Sequence, residues 1–226
     1  EGQLGLGGSE NKSEPQIVSS LQGRAVVFAA GGECMSAVIV EDGSLYTWGA
    51  GDLGKLGQGS ISANQRLPRM VRGALLNEVV VQVSLGFEHS GCVTESGKLF
   101  TWGGGWFGRL GIGHTENQYT PVQVQSLQYK KCLRVSCGAY HTLAVTKQAD
   151  LYSWGKASSG LGYSLPNGQE SALLPQRVNH FKQIMESVCF AEAAYDHSIV
   201  ITGKGHVHTF GKGKYGKLGS AFNLLD

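Results

Sequence analysis

Three stretches of this chain carry the glycine spacing that cradles a dinucleotide pyrophosphate. Gly49, Gly51 and Gly54 satisfy G-x-G-x-x-G, as do Gly103, Gly105 and Gly108, and again Gly211, Gly213 and Gly216. That chemistry needs a helix to begin at the third glycine, so that its first amides meet the phosphates. Lys-Leu-Gly or Arg-Leu-Gly follows instead and leads into another loop. Three copies in one chain read as a repeated turn, and no cofactor is expected. Histidines are the second set of candidates. His89, His141 and His197 could act as bases or metal ligands, but each opens a separate strand without a second ligand at fixed spacing. A hydrogen-bonded structural histidine is the reading of all three. His206 and His208 alternate along one strand and could chelate, yet no third ligand is apparent in the sequence. No metal is expected. Cys132 and Cys137 lack zinc-ribbon spacing and read as packed thiols. Without a nucleophile–base pair, paired carboxylates or a phosphate loop, the chain is not expected to be an enzyme.

The elements that position these residues recur. An aromatic-glycine pair ends a short apolar strand at Trp48-Gly49, Trp102-Gly103, Trp154-Gly155 and Phe210-Gly211, spaced by 54, 52 and 56 residues. A period near ~50 residues marks an array of supersecondary units. His89, His141 and His197 each stand 13 residues before the aromatic, and Met35 takes that place in the first copy. Three residues earlier sits a small residue: Gly32, Gly86, Gly138 or Ala194. Alternating stretches such as Val79-Val81-Val83 and Leu143-Val145 read as half-buried strands, with Glu41-Asp42-Gly43 and Glu95-Ser96-Gly97 as turns. A further strand is predicted after each loop proline, at Pro15–Val18, Pro68–Val71, Pro121–Val124 and Pro175–Val178. About four strands per unit is the content of one β-propeller blade. The chain therefore reads as all-β, a single array with units near 2–53, 54–107, 108–159 and 160–215 and a further unit starting over 216–226. Residues 179–188 have helical spacing and predict one short helix. The tryptophans that end strands are expected to pack between blades.

Charge excludes little. Charged residues are 16% of the 226 and the net charge is +2, so nucleic acid is not demanded as a partner. Lys204, Lys212, Lys214 and Lys217 form a basic run with no acid among them, read as a solvated surface with a chromatin-contacting patch as the alternative. No apolar run reaches the ~18 residues of a membrane span. Five cysteines without close-pair spacing fit reduced thiols and an intracellular setting, nucleus or cytoplasm.

Taken together, the strand ending in Trp-Gly, the Gly-x-Leu-Gly turn, the loop to Pro-x-x-Val and the Gly-x-x-His-Ser/Thr strand resemble the regulator of chromosome condensation repeat. The resemblance covers essentially the whole chain. It implies a seven-bladed propeller, with further sequence on one or both sides of these four units. It also directs attention to the blade-specific residues before each histidine: Glu33-Cys34, Phe87-Glu88, Ala139-Tyr140 and Tyr195-Asp196. In the exchange-factor members of that family, acids and histidines here contact the small GTPase Ran. Glu88-His89 and Asp196-His197 match by type, whereas Ala139-Tyr140 and Glu33-Cys34-Met35 do not. The plant UV-B receptor branch carries a tryptophan in this stretch, which no copy here has. Trp106 and Phe107 add an aromatic pair in the variable part of a glycine turn. The function read from all this is a non-enzymatic scaffold that binds a protein through strand-end loops. Guanine-nucleotide exchange on a Ran-like GTPase and chromatin binding are the alternatives.

Overall fold

The computed structural model describes residues 1–59 and 63–219. Its strands form four antiparallel sheets, each in simple sequential order. The first holds β1 (Val26–Gly31), β2 (Met35–Val40), β3 (Leu45–Gly49) and β4 (Gln65–Met70). The second holds β5 (Val80–Leu85), β6 (His89–Thr94), β7 (Leu99–Gly103) and β8 (Gln118–Gln123). The third holds β9 (Cys132–Cys137), β10 (His141–Thr146), β11 (Leu151–Lys156) and β12 (Ser171–Arg177). The fourth contains three described strands, β13 (Val188–Ala193), β14 (His197–Thr202) and β15 (Val207–Gly211). Residues 220–226, and with them most of the predicted fifth unit, lie outside the described residues. One short helix, α1 (His180–Gln183), stands where helical spacing predicts it.

Sheets and sequence units are out of phase. The proline-led strand that opens each sequence unit pairs with the aromatic-glycine strand of the unit before it, as β4 does with β3 and β8 with β7. This corrects one expectation: Pro15–Val18 forms no strand, because no described strand precedes it for pairing. A second correction concerns Val79-Val81-Val83. A bulge between Val80 and Gln82 shifts the register, so Val80, Val83 and Leu85 are buried while Val79 and Val81 face solvent.

The core lies between consecutive sheets. Trp102 packs with Met35, Ile39, Leu56 and Val83 across the first interface, and Trp154 with Val93, Val135 and Leu161 across the second. Each interface is also pinned by polar bonds. Trp102 Nε1 donates to the Lys55 carbonyl at 3.0 Å, and Ser90 Oγ donates to the same oxygen at 2.8 Å. Trp154 Nε1 and Thr142 Oγ1 share the Arg109 carbonyl at 2.8 and 2.7 Å. Trp48 Nε1 and Ser36 Oγ share that of Gln3. Lys55, Arg109 and Gln3 are the x residues of their Gly-x-Leu-Gly turns, so one sheet's turn is read by the next sheet's tryptophan and hydroxyl. The turn glycines thus open no phosphate-binding helix; a single 3-10 turn follows each G-x-G.

Candidate partner-binding face

The histidines belong to these joints. His89 Nε2 lies 2.7 Å from Thr142 Oγ1, and His141 Nε2 lies 2.9 Å from Ser198 Oγ. Both hydroxyls spend their protons on carbonyls, those of Arg109 and Gly160, so each histidine must donate from Nε2. Each Nδ1 is then a bare acceptor, and both are buried without a partner. Met35, in the equivalent place, sets its sulfur 4.0 Å from Ser90 Oγ. His89 and His141 are fully buried, which corrects their standing as partner contacts: no surface reaches them. Only His197 keeps partial exposure.

Burial pushes the His89 imidazole well below its ordinary value and takes His141 down to about 4. Below about pH 6.5 the unfolded chain therefore binds a proton that folded His141 refuses until about pH 4. Stability is expected to be flat above pH 6.5 and to fall across that window, by about 3 kcal/mol for His141. Melting temperatures from about pH 7.5 to 4.5 check this. A flat profile, or an unchanged slope in His141→Gln, would contradict it.

The residues before the histidines divide into two kinds. Glu88 and Asp196 are tied down inside their own blades. Glu88 Oε2 accepts from Arg109 Nη2 at 2.6 Å, and Asp196 Oδ1 from Lys217 Nζ at 2.6 Å, with Lys212 Nζ 3.9 Å from Oδ2. Burial works to raise the Asp196 carboxyl, but the Lys217 bond and the charges of Lys217, Lys212 and His197 hold it below its ordinary value. Arg109 is wholly buried. Its other donors reach the Gly104 carbonyl at 2.8 Å and the Ala139 carbonyl at 2.7 Å, joining second and third blades. Sequence reasoning missed Arg109, although Lys55, Arg109 and Lys217 repeat a cation at the x position of three turns.

The aromatic residues instead assemble. Phe87, Tyr140 and Tyr195 come from the strand links of three successive blades, and Phe107 from the glycine turn after β7. Their rings meet edge to face in one arc: Phe107–Tyr140 at 5.8 Å, Tyr140–Tyr195 at 5.6 Å and Tyr195–Phe87 at 5.7 Å between centroids. The two phenol oxygens are 3.2 Å apart, and this bond is the leading cause that raises the Tyr140 hydroxyl above its ordinary value. Lys156 Nζ lies 4.4 Å from the Phe107 ring centre and 5.2 Å from that of Tyr140. The arc closes because small residues let the links converge: a Cβ on Gly138 would strike the Ala194 carbonyl and sit 2.8 Å from His141 Cε1. Phe107 is held in a left-handed backbone, φ 59°, as are Leu53 and Tyr215 at the same turn position. Tyr195 remains 54% exposed and neighbouring Trp106 58%.

The basic run does not form one patch. Lys204 follows β14, at the opposite end of the blade from Lys212, and lies 3.6 Å from Glu186. Lys212 and Lys217 face Asp196, and Lys214 covers Tyr215. A cleft of about 600 Å³ lies among the Ala157–Ser164 turn, α1 and β15. Its place corresponds to the seat of β8 and β12, which contact the equivalent turns of the preceding blades. Among the described residues no helix is long and apolar enough to cross a membrane.

Comparison with known proteins agrees with this architecture. The chain is 35% identical over 225 residues to the human E3 ubiquitin-protein ligase HERC2, covering 96% of this chain and 4% of that protein. It is 33% identical over 221 residues to the ultraviolet-B receptor UVR8 of Arabidopsis thaliana, covering 97% of this chain and 49% of the receptor. The fold of yeast RCC1 (Prp20), solved bound to Kap60, superposes with a TM-score of 0.74 at 21% identity, over 92% of this chain and 48% of that one. The family model described as the RCC1-like domain matches residues 1–223. With Trp48, Trp102, Trp154, His89 and His141 all serving the blade joints, this chain belongs to the RCC1-like domain family.

Proposed function

We propose that the end of the array carrying Phe87, Phe107, Tyr140 and Tyr195 is a protein-docking face, within a propeller that continues to seven blades. One observation carries this reading. Four rings from three blades form a continuous, partly exposed arc, while the residues around them are spent on fixing the blades to one another. Aromatic side chains beside a cation are the composition of interface centres. The docked partner is a protein, and the free cysteines suit an intracellular setting.

Exchange activity is the competing reading, since a structure of yeast Prp20p is described with its binding to Gsp1p and histones. Here Glu88 and Asp196 already hold internal cations, and His89 and His141 are buried. These are not free to contact a GTPase. Chromatin binding is disfavoured by the division of the lysines between two ends of a blade and by their acidic neighbours.

The test is recovery of partners by proximity labelling with the full-length protein. Tyr140→Ala with Tyr195→Ala is expected to lose about 2 kcal/mol of binding or more, roughly a thirtyfold drop in affinity, at unchanged melting temperature. Phe107→Gly removes its ring while suiting the left-handed backbone and should act in the same direction. Partner recovery indifferent to all three substitutions would sink the reading. Nucleotide release from a panel of small GTPases is expected to show no acceleration. Strong acceleration abolished by Asp196→Ala would install the rival.

A further inference from the structure

At the other end of the fourth blade, the repeat is broken in a way its joints do not explain. Glu78 stands two residues ahead of β5, pairs with Lys98 and accepts a bond from Ser96. Glu186 stands two ahead of β13 in the same role, accepting the Thr202 hydroxyl at 2.7 Å. The residue corresponding to Lys98, just before the third strand, is His206. The second residue of that strand is a buried ring in the other blades (Tyr46, Phe100 and Tyr152), and here it is His208. Two departures from the repeat thus bring two imidazoles to one carboxylate.

The geometry points to a metal site. We propose that Glu186, His206 and His208 bind one divalent ion of the zinc class. His206 Nδ1 lies 2.8 Å from Glu186 Oε1, and His208 Nε2 lies 3.5 Å from Oε2. All three ligand atoms fall within 4.8 Å of one another. A tetrahedral zinc with bonds of ~2.1 Å holds its ligands roughly 3.4 Å apart, so small side-chain rotations suffice. The His208 Nε2 atom is buried without a hydrogen-bond partner, the state expected of a nitrogen whose partner is an ion. Glu186 keeps only 7% side-chain exposure, and the Thr202 hydroxyl orients its carboxylate from behind. Two imidazoles with one carboxylate suit zinc, cobalt or nickel, whereas calcium and magnesium ask for oxygen sets. Lys204 Nζ, 3.6 Å from Oε1, must swing out as the ion enters. Three protein ligands leave one coordination position for water or for a side chain from a partner. The sequence showed only His206 and His208; the third ligand, 20 residues upstream of His206, was hidden because the acid reads as an ordinary repeat position.

Calorimetric titration of the full chain with zinc chloride tests this, with cobalt absorption as a second readout of tetrahedral coordination. One equivalent is expected to bind. The double substitution His206→Lys and His208→Phe installs the second blade's own residues, so it should fold, and it should weaken zinc about a hundredfold. Glu186→Gln should weaken it about tenfold or more and decides the matter if the double variant melts early. His114→Ala, away from the cluster, should change nothing. Absence of zinc binding by the unaltered chain overturns the proposal, as does affinity that survives both substitutions. Cys189 is an exposed free thiol on β13, and binding lost only in Cys189→Ser places the ion elsewhere and overturns the proposal as well.

Discussion

Gly103→Ala is expected to destabilise the protein by about 2–4 kcal/mol, read as a lowered midpoint in urea. The residue has φ 101°, where an L side chain is strained whatever the space. Here there is also no space. An added Cβ would lie 2.6 Å from the Glu88 carbonyl oxygen, 2.8 Å from His89 Cα and 3.2 Å from Lys55 Cα. All three are backbone atoms, so none can rotate away. The left-handed strain costs about 1 kcal/mol, and forcing the backbone apart adds about 1–3. Because Lys55 belongs to the neighbouring blade, the displacement is passed to the joint that its carbonyl makes with Trp102 and Ser90. Gly73→Ala separates the two causes: φ is 71° but nothing lies within 4 Å of the added atom. It should cost only about 1 kcal/mol. Equal effects at both positions would show that conformation alone, and not the close approach of strands, demands the glycine.

Arg109→Met should cost about 3–5 kcal/mol and distort the docking face with it. The guanidinium is fully buried and spends its donors on Gly104, Ala139 and Glu88. Removing it leaves two carbonyls and the half-buried Glu88 carboxylate without their donor, which is the expensive way to break such a pair. Its position near the Tyr140 ring, 5.9 Å from the centroid, links this loss to the aromatic arc. Adding Glu88→Leu should recover part of the stability, because the uncompensated charge goes too. A double variant no more stable than Arg109→Met would mean that the carbonyl bonds, not the ion pair, carry the cost. Both melting curves and partner binding of the two variants are the measurements.

How much of this was legible beforehand differs by level. The strands, their order and the four-fold array follow from the aromatic-glycine period, since each Trp-Gly marks one strand end that packing cannot move. The identity of the joint was only half visible. His89 and His141 could be placed at strand starts, but their hydrogen-bond partners are 53 and 57 residues away on the next blade. Arg109 was hidden differently: its partners lie only 5, 21 and 30 residues away, but they sit in strand links whose convergence on the turn is set by the packing of two blades. Repetition also misled. Lys204 and Lys212 are close in sequence, yet a whole strand, β15, separates the two ends at which they emerge. Thr47, Thr101, Ser153 and Thr209 were a signal left unread: each stands just before the aromatic and donates its hydroxyl to the leucine carbonyl of the following turn.

The half-step between sequence unit and sheet bears on how such a chain can change over time. A duplicated period arrives with its first strand already owed to the older neighbour, and its other three await the next arrival. Each new copy is held by backbone bonds on one side before it can complete its own sheet. Loss of an entire internal period reseats the strands that flank it without leaving an unmatched edge, while loss of a fraction of one leaves two sheets short. Ancestry in such an array is therefore counted in whole periods, and its history of gain and loss proceeds by grafting.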